Sequence, residues 1–183
     1  ARKLNPDQTL TALNGYLPED LSVRSLSLVA QGFHARYSAV SKTYLYKITN
    51  TAIPDPFSRL YSLQLEAPLD LTAMREAAAC FEGEHDFTGF TTAKSKKKSM
   101  VRRVYDLQIT SVPVPELGGQ RVEIRITANG FLHNMARKMT GTLIEIGLGR
   151  IPSDRAAQML RSGDRSLSSE LAPAHGLYLE SVS

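Results

Sequence analysis

The chain has 183 residues, of which 42% are hydrophobic and 22% are charged, a composition that indicates a folded protein and excludes a long disordered one. Its formal net charge of +4 permits an anionic partner without requiring one. A single cysteine, Cys80, excludes an internal disulfide and a thiolate zinc cluster, and no run of about 20 apolar residues predicts a membrane-spanning helix, so we expect a cytoplasmic protein.

The elements of the first third are predicted from helix caps and from the spacing of apolar residues. Leucines at helical spacing behind a cap-like Asn-Pro pair predict a helix at about 7–15. Apolar residues among polar ones predict a strand at 22–30, and the β-branched and aromatic residues of 37–50 predict a second strand. The prolines of 51–57 predict a loop after that strand.

The remaining elements are predicted from similar signals. Asp70 is the expected N-cap of a helix whose buried stripe extends to Phe81. Gly and Pro residues separate the next two strands, so we expect a hairpin-like connection between them. The expected elements are strands at 101–112 and 120–128, a helix at 133–148, a helix capped by Ser153 that ends near 160, and a strand at 176–182.

The order of these elements limits the fold class. Helices and strands are interspersed, but hairpin-like neighbours argue against a purely parallel, doubly wound sheet. We therefore expect an α+β fold with a mixed or mainly antiparallel sheet and helices packed on it.

Metal and nucleotide sites are not expected. The four histidines lack the paired spacing of a metal site. The acidic cluster at 82–86 follows a predicted helix, where Gly ends the helix and Asp forms a turn, so a structural interpretation is favoured over a metal or acid–base site. Residues 147–149 end a helix instead of forming a phosphate loop, so no cofactor is expected.

The positive charge is concentrated in one stretch. Residues 94–103 hold six cations and no acid, so the rest of the chain carries a formal charge of −2. Lys and Arg neutralise nucleic-acid phosphates, but such a stretch is also typical of a solvated surface loop. The RNA-binding candidates are Lys94, Lys96, Lys97, Lys98, Arg102 and Arg103.

Two tyrosines and one arginine are candidates for a site. Tyr44 and Tyr46 fall on one face of the second predicted strand, where they are either core residues or rings that stack on an unpaired base. Arg137 follows His133 by one helical turn, near an apolar stripe. If it points inward, it requires an anion.

Five sequence blocks resemble the tRNA pseudouridine synthase A family, in the family's order. Any one block is a weak signal, but five in order identify the family. The resemblance extends from about residue 12 to the end of the chain. The blocks are Leu-Asn and Leu-Pro-Glu-Asp within 13–20, Phe-His-Ala-Arg-Tyr-Ser-Ala at 33–39 with Lys-Thr-Tyr-Leu-Tyr at 42–46, Gly-Glu-His-Asp-Phe-Thr at 83–88, Ala-Asn-Gly-Phe-Leu-His-Asn-Met-Ala-Arg at 128–137, and Ala-Pro-Ala-His-Gly-Leu-Tyr-Leu at 172–179.

The resemblance implies a fold and an activity. It implies the pseudouridine synthase catalytic-domain fold and an isomerase that converts uridine to pseudouridine at positions 38–40 of the anticodon stem-loop of tRNA. It also implies a homodimer that needs no cofactor or metal.

The resemblance also implies that one catalytic group lies outside this chain. The family's nucleophilic aspartate lies in a motif of the type Gly-Arg-Thr-Asp-x-Gly-Val-His that should precede Ala1, and none of the eight aspartates here follows Arg-Thr. We therefore expect residues 1–30 to be the end of an N-terminal domain and residues 31–183 to be the C-terminal catalytic and RNA-binding domain. The fragment alone is expected to be inactive.

The matched motifs imply roles for individual residues. Tyr44 matches the active-site tyrosine, whose ring packs against a flipped uracil and whose hydroxyl is a candidate for handling the C5 proton. Arg137 matches the arginine that pairs with the missing aspartate. The further substrate-binding candidates are Arg36 as a phosphate or active-site contact, His34, which a structural role also explains, and Leu177 and Leu179, which form either an apolar pocket wall or an ordinary strand core.

Two other classes of function stay open at this point. The basic stretch and the missing nucleophile are compatible with a non-catalytic RNA-binding α+β module. A metabolic enzyme or a structural domain with an incidental basic loop is the other alternative.

Overall fold

The computed structural model describes residues 5–92 and 99–183, which divide into two units at the Ser38–Ala39 junction. The expected domain boundary between residues 30 and 31 stays a prediction. The stretch of lysines lies outside the described residues; its members are Lys94, Lys96, Lys97 and Lys98.

The first unit is built around one helix, α1 (Pro6–Tyr16), which confirms the helix expected at 7–15. The Asn5 side chain caps it by accepting hydrogen bonds from two backbone N–H groups of the first turn. The strand predicted at 22–30 is wrong, because these residues form no regular element. No strand in the described part of this unit pairs with them, and Leu28 stays 83% exposed, so apolar spacing alone did not produce a strand.

A six-stranded sheet organises the described part of the second unit. Its strands are β1 (Lys42–Thr51), β2 (Leu63–Leu65), β3 (Gly83–Asp86), β4 (Val101–Val114), β5 (Gly119–Ala128) and β6 (Leu177–Val182). Five of them lie side by side in the order β2, β1, β5, β4, β3, and β6 shares the outer edge of β1 with β2. Only β1 and β2 are parallel among these pairs, which confirms a mixed, mainly antiparallel sheet.

Three helices cover one face of this sheet, as expected for the α+β class. They are α2 (Leu71–Ala78), α3 (Met135–Gly147) and α4 (Arg155–Ser162). Asp70 caps α2 as predicted, because its Oδ1 accepts hydrogen bonds from the N–H groups of Thr72 at 2.9 Å and Ala73 at 3.0 Å. The core between helices and sheet is formed by side chains such as Ile48, Phe81, Ile124, Met139 and Leu143.

Several predicted boundaries shift. The second predicted strand begins at Lys42, not at residue 37. The last helix begins after Asp154, so Ser153 is not its cap. The acidic cluster at 82–86 has the expected structural role, since the Asp86 carboxylate accepts from the Thr88 N–H at 2.8 Å, but it also forms β3. Arg102 and Arg103 lie in β4 and not in a loop.

No helix in the described ranges is long and apolar enough to cross a bilayer.

Candidate active site

Tyr44 lies in the middle of the sheet, on the face that carries the helices. β1 has β5 on one side and β6 on the other, so Tyr44 faces Ile126 across one pair of strands and Leu179 across the other. The Tyr44 ring is half-buried and meets the edge of the Phe131 ring, with centroids 4.8 Å apart and planes at 84°. This contact fixes the ring plane against the connector that leads from β5 to α3.

Arg137 lies in the first turn of α3 and is held by a backbone carbonyl. Its Nε donates a hydrogen bond of 2.6 Å to the Ala172 carbonyl, and the Ala172 N–H donates back to the Arg137 carbonyl at 3.3 Å. Arg137 forms no ion pair with any carboxylate of the described residues. A partly buried guanidinium without an anion is poorly compensated, so this arrangement favours an acidic partner or a ligand anion.

The segment that supplies the Ala172 carbonyl, residues 168–173, is a strap that lies along α3. Its first residue, Ser168, accepts a hydrogen bond from Nζ of the buried Lys138, whose pKa is lowered by burial and by the charge of Arg165. Its middle passes Gly141 so closely that a side-chain Cβ there would overlap the Glu170 carbonyl oxygen. The strap therefore depends on a helix surface without a side chain at Gly141.

Tyr46 supports the end of the same strap. Its hydroxyl donates a hydrogen bond of 2.8 Å to the Pro173 carbonyl, and its side chain is buried. Burial raises the pKa of Tyr46, while the nearby charge of Arg137 acts in the opposite direction. The Tyr46 ring packs directly against Gly176, where a Cβ would lie only 2.7 Å from the ring and would overlap it. Tyr46 thus stays neutral and holds the strap next to Ala172, the residue that binds Arg137.

Tyr44 and Arg137 line one cleft, which we call the Tyr44–Arg137 cleft. Its volume is about 150 Å³, and its walls combine apolar residues with the polar residues Asn134 and Arg137. Such a cleft accommodates a flat ring against Tyr44 with an anionic group beside Arg137. The lining residues are Tyr44, Phe131, Leu132, Asn134, Met135, Ala136, Arg137 and Leu177.

The other residues predicted for the site occupy different places. Leu177 lines the cleft with Tyr44 and Arg137, whereas Leu179 is two residues further along β6 and is 54% exposed. His34 and Arg36 belong to the first unit, where His34 Nδ1 accepts hydrogen bonds from the backbone N–H groups of Arg36 and Tyr37. The local geometry gives His34 a turn-stabilising role.

The two described basic candidates lie on β4. Arg102 donates hydrogen bonds to the Ser99 and Val101 carbonyls, and its side chain passes beside Gly130 in the connector that leads to the cleft. Arg103 is exposed, and its backbone is paired with Asn129 of the same connector.

Sequence reasoning missed the groups that hold the cleft together. The Ala172 and Pro173 carbonyls are backbone atoms, which carry no residue-type signature. Asn134 lies inside a matched block, but its backbone conformation, with φ of 61°, follows from the tertiary structure.

A larger cleft of about 390 Å³ lies outside this site and is lined by apolar and polar residues, among them the Asp55–Arg121 ion pair at 3.3 Å. Among residues 5–92 and 99–183, no three His, Cys, Asp or Glu side chains are grouped where they could hold a metal ion.

Comparisons with known proteins point to one family. The family model described as tRNA pseudouridine synthase matches residues 77–183. The chain is 49% identical over 170 residues to tRNA pseudouridine synthase A 2 of Bacillus anthracis. It is 47% identical over 171 residues to tRNA pseudouridine synthase A of Bacillus sp. (strain KSM-64) and 41% identical over 171 residues to that of Bacillus subtilis (strain 168). Each match covers 93% of this chain and 67% of the relative.

Proposed function

Because the chain belongs to the tRNA pseudouridine synthase family, we propose that the Tyr44–Arg137 cleft is its site for isomerising uridine to pseudouridine, at positions 38–40 of the anticodon stem-loop of tRNA. The observation that carries this proposal is the position of Arg137. Arg137 lines the cleft together with Tyr44 and Phe131, and its Nε is anchored on the Ala172 carbonyl, yet it forms no ion pair with the described residues.

The reaction sets the requirements for the cleft. The bond between ribose C1′ and uracil N1 breaks, the detached uracil turns, and C1′ then bonds to C5. C5 loses a proton and N1 gains one, so substrate and product are isomers. The base must leave its stack and stay enclosed while it is detached. A small cleft with one aromatic wall and further apolar walls suits both steps.

Arg137 is the partner of the catalytic carboxylate in this proposal. An aspartate of the family's Arg-Thr-Asp motif, which is not among the 183 residues, would pair with the guanidinium and be held ionised and oriented. The Ala172 carbonyl occupies Nε and leaves the two terminal nitrogens to face a carboxylate. The hydrogen bond to Ala172 therefore preorganises Arg137 for a bidentate contact with the carboxylate.

Tyr44 supplies the stacking surface and the proton-handling group. Its ring is held by the edge of Phe131 and packs against the flipped uracil, while its hydroxyl takes part in moving the C5 proton. Leu177 forms a further wall of the uracil pocket. Leu179, which is exposed on the same strand, extends that apolar surface.

The basic stretch contacts the tRNA backbone in this proposal. Phosphate neutralisation by Lys and Arg supplies most of the sequence-independent affinity for nucleic acid. Arg36 and His34 are further contacts with the substrate. The protein acts in the cytoplasm, as a homodimer. The phosphate contacts are Lys94, Lys96, Lys97, Lys98, Arg102 and Arg103.

Tyr44→Phe in the complete protein tests the site. The ring and its contact with Phe131 remain, but the hydroxyl is lost, so we expect the single-turnover rate to fall about 100-fold, the lower part of the range for general acid–base groups. The affinity for unmodified tRNA should stay within about twofold. The rate is measured by mass-spectrometric counting of pseudouridine at positions 38–40.

Tyr105→Phe is the matched control, because Tyr105 is an exposed tyrosine of β4 that does not line the cleft. Full activity of Tyr44→Phe would remove the hydroxyl from the mechanism and leave stacking. A complete wild-type protein that binds tRNA but forms no pseudouridine would contradict the proposed function and favour an RNA-binding module.

A further inference from the structure

The Thr92 hydroxyl connects two residues at the edge of the Tyr44–Arg137 cleft. Thr92 Oγ1 lies 2.6 Å from His133 Nδ1 and accepts a hydrogen bond of 3.0 Å from Asn134 Nδ2. Two more hydrogen bonds join the same segments. The Thr91 hydroxyl donates to the His133 carbonyl at 3.0 Å, and the Thr92 N–H donates to the same carbonyl at 3.4 Å. Residues 91–92 thus hold the turn at 133–134.

Asn134 has an unusual backbone conformation. It lines the cleft, and it is the one non-glycine residue with a positive φ among those that the structure describes. A left-handed backbone is unfavourable for residues with a side chain, although asparagine tolerates it better than most, and it persists where the surroundings enforce it. Its side chain makes no capping hydrogen bond to α3 and instead donates to Thr92.

The Thr92 hydroxyl serves both contacts at once. Asn134 Nδ2 has protons only to donate, so Thr92 Oγ1 accepts from it. The hydroxyl then still has its own proton to donate to His133 Nδ1 and a second lone pair to accept from it, so either tautomer of His133 keeps the contact. The carboxamide nitrogen of Asn134 faces Thr92 in this arrangement.

Asn134 connects these hydrogen bonds to α3, the helix that carries Arg137. Its carbonyl accepts the helical hydrogen bond of 2.9 Å from the Lys138 N–H, and Arg137 follows three residues later in the first turn of α3. A shift of the Asn134 backbone therefore moves both a lining side chain and the start of the helix that carries Arg137.

We propose that Thr92 is a positioning residue of this active site, which acts through Asn134 to hold the cleft wall and the first turn of α3 in the geometry that the isomerisation requires. The inference rests on the proposed function. Thr92 is not among the residues that line the cleft, so it acts on the rate through its neighbours and not by touching the uracil.

Three variants of the complete protein test this role. Thr92→Val keeps the shape of the side chain but removes the hydroxyl, Thr92→Ser keeps the hydroxyl, and Thr110→Val is a control at an exposed threonine of β4. We expect Thr92→Val to lower the single-turnover rate of pseudouridine formation about 10- to 100-fold, because small misplacements of catalytic groups have effects of this size. Thr92→Ser and Thr110→Val should stay within about threefold of the wild type.

Two further measurements separate positioning from structure. The Kd for unmodified tRNA should stay within about twofold in all variants, and melting curves should show that Thr92→Val is as folded as Thr110→Val at the assay temperature. A wild-type rate in Thr92→Val, or equal losses in Thr92→Val and Thr92→Ser, would overturn the proposal. A wild-type protein that forms no pseudouridine would instead overturn the proposed function, and with it the reaction that Thr92 serves.

Discussion

Arg137→Ala in the complete protein is expected to lower turnover about 100- to 1,000-fold, the effect of removing one fixed electrostatic partner from an active site. The guanidinium is the cation of the cleft, and its removal leaves the incoming carboxylate without a charge-assisted partner. The affinity for tRNA should change by less than about threefold, because the role is local to the reacting groups. Single-turnover rates and equilibrium binding to unmodified tRNA measure the two effects separately.

Arg137→Lys distinguishes geometry from charge. A lysine keeps the positive charge, but its single nitrogen cannot bind the Ala172 carbonyl and also face a carboxylate with two parallel donors. We therefore expect little rescue.

Arg125→Ala is the matched control for these variants. Arg125 lies on β5 and is paired with Glu123 at 2.9 Å and Glu180 at 3.2 Å, and it does not line the cleft. Exposed pairs of this kind contribute about 1 kcal/mol or less, so turnover should be unchanged. Equal losses of turnover and of tRNA affinity in Arg137→Ala would contradict the catalytic role and favour RNA positioning.

Gly141→Ala is expected to displace the strap that anchors Arg137. The new Cβ would overlap the Glu170 carbonyl oxygen and would lie 3.2 Å from the Ala172 nitrogen, and both are backbone atoms that cannot rotate away. Overpacking of this kind typically costs about 1 to 3 kcal/mol, and alanine's better helix propensity of about 1 kcal/mol offsets only part of it. The strap at 168–173 must shift, so the Ala172 carbonyl leaves Arg137 Nε and the turnover falls with the free energy of unfolding.

Gly15→Ala controls for helix propensity, because a Cβ at that position of α1 would meet nothing within 4 Å beyond its chain neighbours and the backbone of its own helix. Denaturant unfolding should show no destabilisation in this control. The single-turnover rate, corrected for the folded fraction, reports the displacement of the strap in Gly141→Ala. Wild-type stability together with a wild-type rate in Gly141→Ala would show that the strap is not constrained by the helix surface.

The elements that the sequence predicted well are those whose signals are local or strongly periodic. Asp70 caps α2 because its carboxylate reaches two N–H groups next to it in the chain. β5 buries every second side chain, so its alternation indicates both its type and its buried face. The helical spacing of the apolar residues in α3 indicates its type, although most of its residues are buried.

The errors come from structure that depends on distant partners. Residues 22–30 have apolar spacing similar to that of a strand but lack a strand to pair with in the described part of their unit. β2 and β3 have three and four residues and exist through pairing with β1 and β4, which no local pattern of that length predicts.

The same distinction holds for the site. Motif resemblance brought Tyr44, Arg137 and Leu177 together, and the structure places all three around one cleft. It did not predict that Ala172 holds Arg137 through a carbonyl, or that Asn134 adopts a positive φ beside Thr92. Those features belong to backbone geometry between segments about 35 to 42 residues apart.

Incubation of residues 1–183 with unmodified tRNA tests the central claim most directly, with the complete protein as the positive control. The chain spans 67% of the length of its relatives, and Arg137 lacks a carboxylate partner among the described residues. We expect this chain to form no pseudouridine at positions 38–40, whereas the complete protein forms it. Pseudouridine formed by residues 1–183 alone would contradict the claim that the carboxylate comes from outside this chain.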